Sequence, residues 1–178
     1  MTFRLIIALA ALLLAGAARA ADRSPVAATF SVIGDMLANI GGDRIDIKTI
    51  VGAGGDCELY QPTAADVATV SSARAVFLND LNEEFEPWLE PLLKQALFKG
   101  TKVVVTRGVR TLTAEEEHPV SGRQLPAAID QHAWLDLRNG VIYVRNIAAA
   151  LTRLDPAGAA DYRARAAATV ATSAAVGW

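Results

Sequence analysis

An α/β domain with a parallel-dominated sheet flanked by helices is the fold this sequence predicts. Three observations point there. Short β-branched or apolar runs alternate with stretches of helical spacing. One run, Ala75-Val76-Phe77-Leu78, is apolar throughout, as strands buried on both faces of a parallel sheet are. The length, 178 residues, allows one domain or one and a half.

The elements follow in order. Ala28 to Ile33 reads as the first strand, and Gly34-Asp35 opens a helix through Ile40 that Gly41-Gly42 stop. Ile45 to Val51 places Ile45, Ile47, Thr49 and Val51 on one face, as a half-exposed strand would. A glycine-rich loop, Gly52 to Tyr60, comes next. Thr63 and Asp66 have capping-box spacing, with Val67 and Val70 as the buried stripe of the helix they start. After the apolar strand, Phe85 to Phe98 carries Trp88, Leu89, Leu92, Leu93 and Ala96 at helical spacing. Lys102 to Val105 is the fourth strand. Asn139 to Leu151 is a helix, and Asp155-Pro156 starts another, rich in alanine and arginine. Right-handed crossovers would leave two loops at the carboxyl ends of strands, where such sheets bind ligands. They are Gly52–Tyr60 and the long stretch Arg107–Asp136.

Composition narrows the function. Seventeen basic against nineteen acidic residues exclude a nucleic-acid binder that works by a strong basic field. One cysteine excludes an internal disulfide framework. Residues 1–20 read as an export signal: Arg4, an apolar run from Leu5 to Ala15, then Ala18-Arg19-Ala20 as a cleavage site. No cysteine follows the apolar run. The expected product is therefore an unanchored periplasmic protein, not embedded in the membrane once the signal is cleaved.

Few residues carry chemistry. His132 sits in Asp130-Gln131-His132-Ala133-Trp134-Leu135-Asp136, just before a helix, and a nearby carboxylate or carbonyl can fix the tautomer of such an imidazole. It is either a metal ligand or an ordinary loop histidine. Gly52 to Tyr60 packs Asp56, Cys57 and Glu58 into one flexible loop. The two acids and the lack of a following Gly-Lys-Ser/Thr argue against a phosphate cradle. Cys57 with His132 would make a nucleophile pair, and so an enzyme, if the fold brought them together. Otherwise Cys57 is a small buried hydrophobe. Glu83-Glu84 and Glu115-Glu116-Glu117-His118 read as solvated faces.

The order and spacing of several segments resemble the N-terminal lobe of the zinc and manganese solute-binding proteins of ABC importers, some of which are called adhesins. The segments are Thr29-Phe30-Ser31-Val32-Ile33-Gly34-Asp35-Met36, Ile40-Gly41-Gly42-Asp43, Val51 to Asp56, and Tyr60-Gln61-Pro62-Thr63-Ala64-Ala65-Asp66. Asn79, Trp88-Leu89-Glu90, His132-Ala133-Trp134-Leu135-Asp136 and Asp155-Pro156-Ala157 complete the set. The resemblance implies two α/β lobes joined by a long rigid helix, with a divalent metal held between them for delivery to an inner-membrane permease, and no enzymatic activity. Two ligands would come from each lobe. His132 falls on one family histidine of the N-terminal lobe. Glu58 stands where the other is expected, two residues before the tyrosine of Tyr60-Gln61-Pro62-Thr63. Gln131 and Leu137 replace prolines usual in the family.

On this resemblance residues 21–155 are the metal-binding lobe and 156–178 the start of the inter-lobe helix, with the second lobe absent. Ala171 to Trp178 departs from the family pattern. That helix is expected to project with its alanines facing nothing. Three readings follow: a zinc or manganese receptor, a truncated remnant with weak or no metal binding, and an enzyme using Cys57 and His132.

Overall fold

The computed structural model describes residues 23–81, 85–114 and 128–175. The signal-like segment 1–20, Glu83-Glu84 and the 115–118 acidic stretch lie outside the described residues. Four strands form one all-parallel sheet: β1 (Ser24–Phe30), β2 (Ile45–Val51), β3 (Ala75–Leu78) and β4 (Thr101–Val104), in the order β2-β1-β3-β4. This is the predicted α/β class. The chain builds outward from β1 to β2, then crosses to β3 on the other side. The β1/β3 boundary is thus a topological switch point.

Helix α1 (Ser31–Gly41) follows β1 directly, so the strand ends at Phe30 rather than Ile33. Gly34 lies so close to β2 that an added Cβ would sit 2.4 Å from the Thr49 hydroxyl oxygen. The helix is seated by the absence of a side chain there. In β2 the buried residues are Ile45, Ile50 and Val51, not a strict alternation. It is an edge strand, covered at its carboxyl end and open in the middle. Helix α2 (Ala64–Ser72) begins at a complete capping box: the Asp66 N–H donates to the Thr63 hydroxyl and the Thr63 N–H donates to Asp66. Strand β3 is buried at every residue, as its apolar run requires.

Helix α3 (Leu89–Gln95) is half the expected length. Phe85 and Trp88 belong to the turns before it, and Leu97, at φ 50°, ends it. The long stretch after β4 contains a small antiparallel pair, β5 (Thr113–Ala114) and β6 (Ala128–Ile129). Helix α4 (Leu137–Leu154) starts at Asp136, whose carboxylate accepts the Arg138 N–H. It buries Tyr143, Val144, Ile147 and Leu151.

The last helix, α5 (Ala159–Ala175), corrects one expectation. It does not project freely. Tyr162 and Ala166 are in the core and Val170 packs against it, so α5 lies on α4 and α1. These residues recur every four positions, which is the stripe a packed helix needs. At the amino edge of the sheet a polar clamp fixes its start. Arg44 Nε and the Tyr162 hydroxyl both donate to Asp155 Oδ2, each at 2.8 Å. The Arg44 guanidinium also lies over the Tyr162 ring, 5.9 Å from its centre. No helix among the described residues is long and apolar enough to cross a membrane.

Candidate metal centre

The carboxyl edge of the sheet gathers three segments: the loop after β2, the loop after β3, and residues 130–136 before α4. The first is a shaped loop. Asp56 Oδ1 accepts the N–H groups of Glu58 and Leu59, at 2.8 and 3.1 Å, closing a turn that presents Glu58 outward. Trp88 Nε1 donates to the Cys57 carbonyl at 2.6 Å, and the Trp88 ring meets Tyr60 edge-on. Tyr60 in turn donates to Asp66, the partner of Thr63 in the α2 capping box. The loop is therefore pinned from both sides while the Glu58 side chain stays exposed.

His132 is held by its own neighbour. Asp130 Oδ1 accepts the His132 backbone N–H at 2.8 Å and faces Nδ1 at 2.9 Å. A carboxylate can only accept, so in the neutral ring the proton sits on Nδ1 and the lone pair on Nε2. These hydrogen bonds, the backbone one foremost, hold the Asp130 carboxyl below its usual range. Phe85 and Trp134 flank the imidazole, and Phe30 packs against both. The histidine side chain is 49% exposed, with one nitrogen committed and one open to a ligand.

Beneath these loops lies a buried polar network centred on Asn79, which is wholly inaccessible. Its N–H donates to Glu86 Oε2, and its carbonyl accepts the Thr106 hydroxyl. Its side-chain oxygen accepts the Tyr143 hydroxyl, and its Nδ2 donates to the Gln131 carbonyl at 3.0 Å. Glu86 is buried beside it. Burial pushes its carboxyl up to about 7, although the Thr29 hydroxyl and the Asn79 and Asp80 N–H groups pull the other way. The Thr29 hydroxyl faces that carboxyl without closing a well-formed hydrogen bond, and Glu86 Oε1 is left unpaired. Burial also raises the Tyr143 hydroxyl, with the Glu86 charge adding to it.

The structure thus places Glu58 against Gln131, the neighbour of His132: Gln131 Nε2 donates to Glu58 Oε1 at 2.5 Å. Cys57 has a different fate. It is half-buried, and burial, followed by the charges of Glu86, Asp56 and Glu58, pushes its thiol up to about 11. Among the described residues, no three of the His, Cys, Asp and Glu side chains gather closely enough to hold a metal by themselves. Sequence reasoning named Asn79 among the family-like segments but gave it no role as a centre. Its one local signal is a polar residue directly after a wholly apolar strand.

A family model described as zinc-uptake complex component A, periplasmic, matches residues 26–176. The chain belongs to this zinc-uptake family. The manganese ABC transporter substrate-binding lipoprotein of Streptococcus gordonii is 38% identical over 141 residues, covering 77% of this chain and 44% of the relative. The iron ABC transporter substrate-binding lipoprotein of Streptococcus pyogenes serotype M1 is 37% identical over 145 residues, with 79% and 45% covered. The manganese-bound periplasmic metal-binding protein from Candidatus Liberibacter asiaticus superposes with a TM-score of 0.66 at 33% identity, over 83% of this chain and 52% of that one.

The chain spans less than half the length of these curated relatives. Two expectations change. The zinc-uptake family match runs through residue 176, so Ala171 to Val176 falls within the matched stretch rather than outside the family pattern. The relatives are named lipoproteins, which overturns the expectation of an unanchored periplasmic protein; a location outside the cytoplasm still fits.

Proposed function

We propose that this chain is a metal-binding lobe of an ABC importer's substrate-binding component, and that Glu58 and His132 bind a divalent zinc or manganese ion for delivery to the permease. The observation that carries this reading is the fixed tautomer of His132. Asp130 accepts a hydrogen bond from Nδ1–H, which directs the Nε2 lone pair outward, beside a wall of aromatic rings and one residue from the partner of Glu58. An imidazole and a carboxylate together suit zinc and manganese. With two protein ligands, water completes the coordination shell, so binding by this chain alone is weak. The ion is cargo, and an easily exchanged ion suits release to a permease.

Catalysis by Cys57 and His132 finds no support. A thiol held near 11 stays protonated at neutral pH and makes a poor nucleophile. Calorimetry of the chain with zinc and with manganese tests the binding reading. Weak binding that disappears in His132→Ala and falls in Glu58→Ala is expected. A tight one-to-one complex unaffected by His132→Ala would place the metal elsewhere.

A further inference from the structure

We infer that Gln131 is a positioning residue for both proposed ligands, its backbone setting His132 and its side chain setting Glu58; this rests on the metal-site reading above. Two different groups of one residue make the two contacts. The Gln131 carbonyl accepts from Asn79 Nδ2. The Asn79 amide has one orientation, because the Gln131 carbonyl can only accept and the other amide atom takes the Tyr143 hydroxyl. The peptide leading into His132 is thereby tied to the end of β3 and to α4. The Gln131 side chain then reaches outward, and its Nε2 donates to Glu58 Oε1 across 73 residues of sequence.

The other end of that amide sharpens the argument. Gln131 Oε1 is buried and has no hydrogen-bond partner. A buried acceptor left unpaired is a cost that native structures rarely carry without a reason. Gln131 is not placed to satisfy its own amide. It is placed with Nε2 on Glu58, and the orphaned oxygen is the consequence. Glu58 is otherwise an exposed side chain on a surface loop, free to sample many rotamers. Ligation would freeze it. Gln131 freezes it beforehand, and one carboxylate oxygen remains free to meet an ion.

The Gln131 side chain touches no metal in this account, so its effect must pass through Glu58. A double-mutant cycle on manganese affinity reads that dependence. Gln131→Ala is expected to weaken binding about fivefold, the worth of pre-ordering one long side chain. In the Glu58→Ala background the same change should do nothing. Equal losses in both backgrounds, or none in either, overturn the proposal. A second readout needs no metal. In a ¹⁵N-correlated spectrum of the metal-free chain, the Gln131 side-chain amide signals should move on Glu58→Ala. If they stay in place, the pairing is absent and the proposal falls. If they move while manganese binding ignores both Glu58 and His132, the pairing stands and only the metal-site reading falls.

Discussion

The two edges of the sheet are cross-linked by opposite chemistry. At the amino edge, charged side chains near the surface do the work. Arg44 meets Asp155 with both side chains partly exposed, and Arg74 donates to the Ser24 hydroxyl and the Leu154 carbonyl. At the carboxyl edge the joints are mostly uncharged and buried, with Asn79, Thr106, Tyr143 and the Gln131 carbonyl grouped around the buried Glu86 carboxyl. The difference follows from what each edge must do. The amino edge only has to hold α5 and the end of α4 against the sheet, and an exposed ion pair tolerates small movements. The carboxyl edge carries two proposed ligands on loops, and the buried hydrogen bonds of Asn79 give those loops a rigid base.

The largest effect should come from breaking the buried edge. Asn79→Leu strands the Tyr143 hydroxyl and the Gln131 carbonyl in an apolar surrounding. We expect a loss of about 3–4 kcal/mol in urea unfolding, the combined cost of two orphaned buried groups. A loss below about 1 kcal/mol would show that water or repacking relieves them, and the contrast between the edges would disappear.

Much of this frame was legible in the sequence, and the reasons are local. Strand β3 announced itself by an unbroken apolar run, and α2 by the Thr63–Asp66 capping box, because both signals lie within a few residues. Phe85 and Trp88 misled because their helical spacing serves ring packing in turns instead. The stripe of Tyr162, Ala166 and Val170 was present but diluted by alanines on every side. Glu58 and His132 were visible as candidates through the motifs around them. The Asn79 network was not, since its partners Thr106, Gln131 and Tyr143 lie 27, 52 and 64 residues away. No periodicity encodes a hydrogen bond of that range.

The second prediction sets the edges against each other by pH. Glu86 titrates near 7 in the folded chain, chiefly through burial, against 4.5 as its ordinary value. The folded state therefore holds a proton that the unfolded state has lost between those values. Its contribution is present below pH 4.5 and falls away as pH rises through 7, by up to about 3 kcal/mol. Asp155 has the opposite sign. Its carboxyl is held low, first by the Arg44 hydrogen bond, so its contribution is present above the ordinary aspartate range and lost as pH falls through the folded value. Glu86→Gln should remove the decline between pH 5 and pH 7 in urea unfolding, pH values of about that range being enough to span the titration. A wild-type curve flat across that interval would mean that Glu86 ionises without a penalty.

The smallest expected effect lies at the amino edge. Tyr162 is fully buried, and its hydroxyl reaches Asp155 Oδ2 beside Arg44 Nε. Tyr162→Phe keeps the ring under the guanidinium and removes only one of the two bonds to that oxygen. Because Arg44 still satisfies the carboxylate, and water can reach the partly exposed group, the loss should be about 1 kcal/mol. The remaining ion pair should then respond to salt. Raising sodium chloride to about 1 M shortens the screening length to about 3 Å and weakens an exposed pair. Unfolding midpoints of wild type and Arg44→Met at low and high salt measure this: the gap between them should narrow as salt rises. A gap that stays constant would mean that Arg44 acts through packing on Tyr162 rather than through its charge, and the amino edge would then resemble the buried one more than its composition suggests.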